Sequence, residues 1–206
     1  MTDKSNMREI YDTLIDSYSD QQHDTVFSFS DKGTQHTYIH LYELYFALKK
    51  SSVSLLEIGM MTGGSMHLWQ KYFDKYNLVG LDILSTWSSP CAFQAEIEQD
   101  PNIHLVFGVD STKDPVPDVV ASQSFDFIID DGDHRIGAQL ETFKRYWPYV
   151  KSGGGVYFIE DVVSQQAIAQ LENTISKIVQ DTGLVTHFTG LVDHRDDDRV
   201  LIIRKH

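Results

Sequence analysis

Cysteine is almost missing from this chain: Cys91 stands alone, which excludes an intramolecular disulfide. Basic residues are scarce as well. Lys and Arg total 17 against 30 Asp and Glu, giving a formal charge of -13 and a pI near 4.9. That balance disfavours nucleic acid or an anionic membrane as partner and suits a small neutral or cationic substrate. No apolar run approaches a membrane span, and the opening Met1-Thr2-Asp3-Lys4 lacks the apolar stretch of an export signal, so a cytoplasmic location is expected. There is no internal repeat and no low-complexity segment. With 206 residues the chain can build one domain with a full core and has little room for a second.

What the chain does have is Leu55-Leu56-Glu57-Ile58-Gly59-Met60-Met61-Thr62-Gly63-Gly64-Ser65. Leu55 to Ile58 reads as a short buried strand, and the glycines permit a tight turn into a helix starting near Ser65. Val79 to Ile83 reads as a second buried strand carrying Asp82 near its end. A glycine turn after one strand and an acid after the next suggest a pocket for an adenosine-bearing cofactor, the acid accepting from ribose hydroxyls. Glycines alone do not separate dinucleotides from other nucleoside ligands.

Around this pair the pattern alternates. Ile10, Leu14, Ile15 and Tyr18 predict an opening helix over 5 to 18. The polar segment from Ser28 to His36 follows, in which Lys32 and His36 read first as solvated loop side chains, and otherwise as part of a lid across the cofactor strand. The next helix, from about Tyr38 to Lys50, carries Leu41, Tyr42, Leu44, Tyr45 and Phe46, which either pack on the sheet or join the interface of a homo-oligomer. After the second strand, Trp87 covers the adenine or ribose or else sits in the core. A helix is expected from Cys91 to Gln99 and a strand from His104 to Gly108. Asp110 either accepts from an adenine amino group or caps the next turn. Pro115 and Pro117 predict an irregular 112 to 122.

A strand over Phe125 to Asp130, a helix over Ile136 to Val150, a strand over Val156 to Ile159 and a Ser164-capped helix to Gln180 complete a parallel sheet between helix layers. Val185 to Thr189 and Arg199 to Ile203 predict an antiparallel pair at one sheet edge, joined by a solvated acidic loop.

Acids stand at the carboxyl ends of the fourth and fifth strands: Asp130-Asp131-Gly132-Asp133-His134 and Glu160-Asp161. Adjacent strands lie about 5 Å apart, so these groups converge. Crowded carboxylates repel unless a cation sits among them, and a hard divalent ion such as Mg2+ suits oxygen ligands. Otherwise Asp130 and Asp133 cap the next helix and Glu160 and Asp161 face solvent. His134, at the same sheet end, is the natural general base for a hydroxyl. His23, His67, His104 and His187 have no such context.

Glu57 to Gly64 with Asp82 resembles the cofactor motif of class I S-adenosylmethionine-dependent methyltransferases. The fuller pattern is Ser30-Asp31-Lys32-Gly33-Thr34 with His36, then Glu57-Ile58-Gly59, Asp130 to His134 and Glu160-Asp161. It resembles the Mg2+-dependent sugar O-methyltransferases of macrolide tailoring and their cephalosporin-hydroxylase-like relatives. The resemblance implies an α/β, Rossmann-like class I methyltransferase fold: a mostly parallel seven-stranded sheet with an antiparallel C-terminal strand pair and helices on both faces. Residues 1–50 would be a helical lid or extension and 51–206 the S-adenosylmethionine-binding domain, compact as one unit.

The same resemblance implies metal-dependent methyl transfer from S-adenosylmethionine to a hydroxyl of a small molecule, a sugar or sugar-bearing natural product. Asp131, Glu160 and Asp161 would hold Mg2+ or another divalent cation, and His134 would be the base. Lys32, Glu57, Gly59, Met60, Gly63, Ser65, Asp82, Asp110 and Asp130 would surround the cofactor. A large appended N-terminal domain of the kind found in some macrolide sugar enzymes is not expected, which leaves the acceptor open or requires a neighbouring subunit to complete its pocket. Four other readings stay open: a catechol-type O-methyltransferase, an NAD-dependent oxidoreductase, a metal-dependent hydrolase, and a binding protein without turnover.

Overall fold

Strand runs apolar on both faces are stable only between two helix layers, and this chain builds that arrangement. The computed structural model describes residues 6–19, 29–190 and 195–206. His23, Ser28 and positions 191–194 of the acidic loop lie outside the described residues. Among those described, the order is α1 (Met7–Ser19), α2 (Tyr38–Phe46), β1 (Val53–Ile58), α3 (Gly64–Tyr72), β2 (Tyr76–Asp82), α4 (Gln94–Gln99) and β3 (Ile103–Phe107). There follow α5 (Asp118–Ala121), β4 (Phe127–Asp130), α6 (Ile136–Tyr146), β5 (Val156–Ile159), α7 (Gln165–Val179), β6 (Gly183–Thr189) and β7 (Arg199–Lys205).

The seven strands lie in the order β3-β2-β1-β4-β5-β7-β6. The first five are parallel, and β7 runs antiparallel to both β5 and β6. This is the mostly parallel seven-stranded sheet with an antiparallel C-terminal pair that the sequence pattern predicts. The chain leaves β1 in one direction toward β2 and returns on its other side as β4. That reversal opens a crevice at the carboxyl ends of β1 and β4.

Alternation along each strand divides the core. Leu55, Leu78, Phe127, Ile129 and Phe158 face a layer built from α1, α2, α3 and α4, whereas Leu56, Val79, Ile128, Tyr157 and Ile203 face one built from α5, α6 and α7. Ser164 caps α7, its side chain accepting from the Ala167 N–H at 3.1 Å.

In α2, Tyr38, Leu41, Tyr42 and Phe46 are buried, with the Phe46 and Phe127 rings tilted against each other at 4.4 Å between centroids, while Leu44 is exposed. Two departures from the pattern have a clear local cause. The helix expected from Cys91 starts at Gln94, whose side-chain oxygen accepts from the Cys91 N–H and whose amide donates to the Thr62 and Ser89 carbonyls, closing a turn instead. The region around Pro115 and Pro117 is not wholly irregular, because Pro117 opens the short α5.

The turn after β1 tolerates little change. Gly59 has φ +90°, and a Cβ there would lie 2.0 Å from the Asp131 carbonyl oxygen. Gly59→Ala is expected to cost several kcal/mol, of the order of the larger backbone and packing effects, read as a lower urea midpoint. A midpoint equal to that of the unaltered protein would contradict this packing.

Candidate active site

The crevice is walled first by backbone. Gly59 donates its N–H to the Leu81 carbonyl at 2.8 Å, drawing the turn over β2. Asp82 then fastens it, its Oδ2 accepting from the N–H groups of Met60 (2.8 Å) and Met61 (2.9 Å) and its Oδ1 from Leu84 (2.8 Å). Met61 is held in the left-handed region at φ 51°. Beside this turn lies a cavity of about 570 Å3. Exposed Met61, Ile83 and Leu84 give it an apolar flank.

Of the expected cofactor residues, Lys32, Gly59, Met60, Ser65, Asp82 and Asp110 line the cavity. Asp131, His134 and Asp161 line it too. Glu57, Gly63, Asp130 and Glu160 are not on its wall. Glu57 is fully buried beneath α3, where its Oε2 accepts from the Trp69 indole N–H at 2.9 Å. Gly63 supports the wall from behind, under the Trp87 ring, which a Cβ would approach to 2.7 Å. Trp87 itself packs edge-on to Phe107 and donates to Glu98 Oε1 at 2.7 Å. Asp110 accepts from the Thr112 N–H at 3.0 Å and pairs with Lys113 at 2.8 Å, which holds its carboxyl down at about 2.

The segment from Phe29 to Thr37 overturns the expectation of solvated side chains. Lys32 and His36 are both buried, at 1% and 2% exposure. The reason is their partners. Lys32 Nζ donates to Asp131 Oδ2 and Glu160 Oε2, each at 2.7 Å, and faces Glu57 Oε1 at 3.7 Å. His36 stacks on Tyr38 with ring centroids 4.6 Å apart, and its nitrogens lie 3.4 to 3.7 Å from carboxylate oxygens of Asp31, Asp161 and Asp198.

Two phenols of α2 complete the set. Tyr38 donates to Asp161 Oδ1 at 2.8 Å, and Tyr42 donates to Glu160 Oε1. The sequence places Tyr38 and Tyr42 on this helix only as packing residues; the signal for their role at the acids was their i, i+4 spacing directly after the Lys32 loop.

The pattern turns one oxygen of each acid toward His134. Asp131 is tied back through Oδ2 and turns Oδ1 to His134 Nε2 at 3.5 Å; Asp161 is tied back through Oδ1 and turns Oδ2 to His134 Nδ1 at 3.7 Å. Asp161 reaches this pose with φ 51°, a left-handed backbone that an aspartate tolerates. Ligand atoms of Asp131, His134 and Asp161 lie within 4.8 Å of one another, at the cavity edge. Both oxygens of Glu160 are engaged by Lys32 and Tyr42.

Charge in this cluster is under strong mutual control. Burial would lower Lys32, but Asp131, Glu160 and Glu57 outweigh it and hold the ammonium charged. Burial, with Asp131 adding repulsion, pushes Asp161 up to about 6. Contact with the Asp131 carboxylate pushes His134 up to about 9. An oxygen-rich pair that raises its neighbour's proton affinity in this way fits a hard divalent cation. The apolar flank and the glycine turn fit a nucleoside.

A strand order with this crevice defines the class I methyltransferase fold. Its likeness to the MycE methyltransferase of the mycinamycin biosynthetic pathway, solved in complex with Mg and SAH, has a TM-score of 0.68 at 21% identity, covering 99% of this chain and 55% of that one. In sequence the chain is related to two proteins of Streptomyces olivaceus. It is 30% identical over 142 residues to the 8-demethyl-8-alpha-L-rhamnosyl tetracenomycin-C 2'-O-methyltransferase, covering 65% of this chain and 35% of that protein. It is 32% identical over 143 residues to the 8-demethyl-8-(2-methoxy-alpha-L-rhamnosyl)-tetracenomycin-C 3'-O-methyltransferase, covering 65% of this chain and 34% of that one. The chain thus spans about a third of the length of these relatives. No family model matches it.

Asp130 lies below the site, buried, with the Tyr157 hydroxyl donating to it at 3.3 Å. Burial pushes its carboxyl up to about 7. Because the unfolded chain loses this proton near pH 4 and the folded chain only near 7, stability from this group is full below pH 4 and is lost as pH rises to about 7. Asp130→Asn, which never ionises, is therefore expected to gain on the unaltered protein between pH 5 and pH 8, by on the order of 2–4 kcal/mol. Melting curves at the two pH values check this, and a difference independent of pH would refute it.

Proposed function

We propose that this chain is a divalent-metal-dependent O-methyltransferase acting on a hydroxyl of a small molecule, a sugar or sugar-bearing natural product. The observation that carries the reading is one juxtaposition. A nucleoside-sized cavity behind a glycine turn opens onto two carboxylate oxygens, Asp131 Oδ1 and Asp161 Oδ2, that converge on His134. The related proteins support it, since their names describe O-methylation at the 2' and 3' positions of rhamnosyl tetracenomycins.

In this reading S-adenosylmethionine brings an activated methyl group and a divalent ion makes an adjacent acceptor hydroxyl more acidic. The chain's own residues do the rest. Gly59 and Met60 shape the wall beside the nucleoside, and Asp82 holds that wall while remaining able to accept further hydrogen bonds from ribose hydroxyls. Asp131 and Asp161 would hold the ion, with Glu160 behind them. His134, partly exposed on the cavity wall, takes the acceptor proton on its imidazole. A cation held by Asp131 and Asp161 would cancel the charges that otherwise keep the imidazole protonated and so leave it able to accept a proton near neutrality. The N-terminal region, 1–50, serves as an extension that brings Lys32, Tyr38 and Tyr42 to the acids.

Transfer of labelled methyl from S-adenosylmethionine to rhamnosides and other vicinal diols, with and without Mg2+, tests the proposal. Activity should need the ion and disappear with chelator. His134→Ala should lower kcat by about 10²–10⁴-fold while leaving calorimetric binding of S-adenosylmethionine unchanged. Full activity in chelator, or an unimpaired His134→Ala protein, would sink it.

A further inference from the structure

With Asp131, Glu160 and Asp161 all ionised, the acids at the strand ends would carry one charge more than a divalent ion neutralises. Asp131, Glu160 and Asp161 converge within one cluster, and the only Lys or Arg side chain among the described residues that ion-pairs with them is Lys32, beside the imidazoles of His36 and His134. Its ammonium has three donors. Two are spent on Asp131 and Glu160 at 2.7 Å, and Glu57 stands 3.7 Å away. With the side chain 1% exposed, the ammonium is spoken for inside the protein. This charge cannot drift away as a solvent ion can, because its backbone is pinned. The Ile39 N–H donates to the Lys32 carbonyl at 3.2 Å, and the preceding Asp31 carbonyl accepts from the N–H groups of Gln35 and His36 at 3.0 Å each.

Resting on the metal-dependent reading above, we infer that Lys32 is a built-in cation of the metal site, a positioning residue that cancels one carboxylate and so matches the site to a divalent rather than a trivalent ion. Lys32 thus stands both on the cavity wall and in the metal cluster. The geometry divides the work. Lys32 takes one oxygen each from Asp131 and Glu160, leaving Asp131 Oδ1 directed at the site. One fixed unit charge a few ångströms from a bound ion acts more strongly on a trivalent ion than on a divalent one. At the effective dielectric of a partly buried site the differential is about tenfold or more.

The test compares association constants for Tb3+, followed by luminescence sensitised through the protein's aromatic residues, and Mn2+, followed by calorimetry, on the full chain at pH 8. In Lys32→Met the ratio of Tb3+ to Mn2+ affinity should rise about tenfold or more, and in Lys32→Arg it should stay within about threefold of the unaltered protein. Glu160→Gln, which leaves Lys32 in excess, should shift the ratio the other way, and the Lys32→Met/Glu160→Gln double variant should bring it back. If Lys32→Met alone does not fold, as removal of one member of a buried ion pair can cause, Glu160→Gln and the double variant decide. A ratio within threefold in folded Lys32→Met, or a Glu160→Gln shift in the same direction as Lys32→Met, overturns the inference. An unaltered protein that binds Mn2+ nowhere overturns the metal-dependent reading itself, which is a different result.

Discussion

Burying a lysine ammonium costs several kcal/mol unless the protein replaces the water it loses, and for Lys32 two carboxylates do so at 2.7 Å each. Those carboxylates depend on the lysine in return. Glu160 and Glu57 are buried at the ends or sides of parallel strands, where burial raises both above the ordinary carboxylate range and the ammonium opposes that rise. The pair therefore fastens the Phe29–Thr37 segment to the sheet, and α2 follows from it. Tyr38 and Tyr42 arrive one helical turn apart, over Asp161 and Glu160.

From that fastening the geometry of the site follows. Tying back one oxygen of Asp131 and one of Asp161 aims the other two at His134. Backbone performs the matching task on the other side of the crevice. Asp82 gathers the N–H groups of Met60, Met61 and Leu84, and Phe29 closes against α3 so tightly that a Cβ on Gly64 would meet its carbonyl at 1.6 Å. The same N-terminal segment thus braces both halves of the site, the glycine turn through Phe29 and the acid cluster through Lys32.

The sheet was legible because burial on two faces leaves an unbroken apolar run, as in Leu55-Leu56 and Phe127-Ile128-Ile129, which few other environments produce. The acids were legible from position, since parallel strands in sequence place Asp131 and Asp161 at one sheet end whatever the loops do. The burial of Lys32 and His36 was not. A polar segment with a turn glycine looks the same solvated or buried, and the partners that decide it lie 99 and 128 residues away for Lys32. Glu57 and Asp130 lie off the cavity wall. They stand beside cavity residues in sequence, but a strand turns successive side chains to opposite faces, so Glu57 meets Trp69 and Asp130 meets Tyr157.

In the proposed site Asp131 and Asp161 would present their oxygens to a cation whose surroundings Lys32 shares without occupying its place. Crystals grown with S-adenosylhomocysteine and Mn2+, with data collected for anomalous scattering by manganese, test it most directly. A manganese peak is expected between Asp131 and Asp161, with the Lys32 ammonium still bonded to Glu160 and the nucleoside beside Gly59. A peak in the position now held by the Lys32 ammonium, with the lysine displaced, or no peak at this end of the sheet, would contradict it.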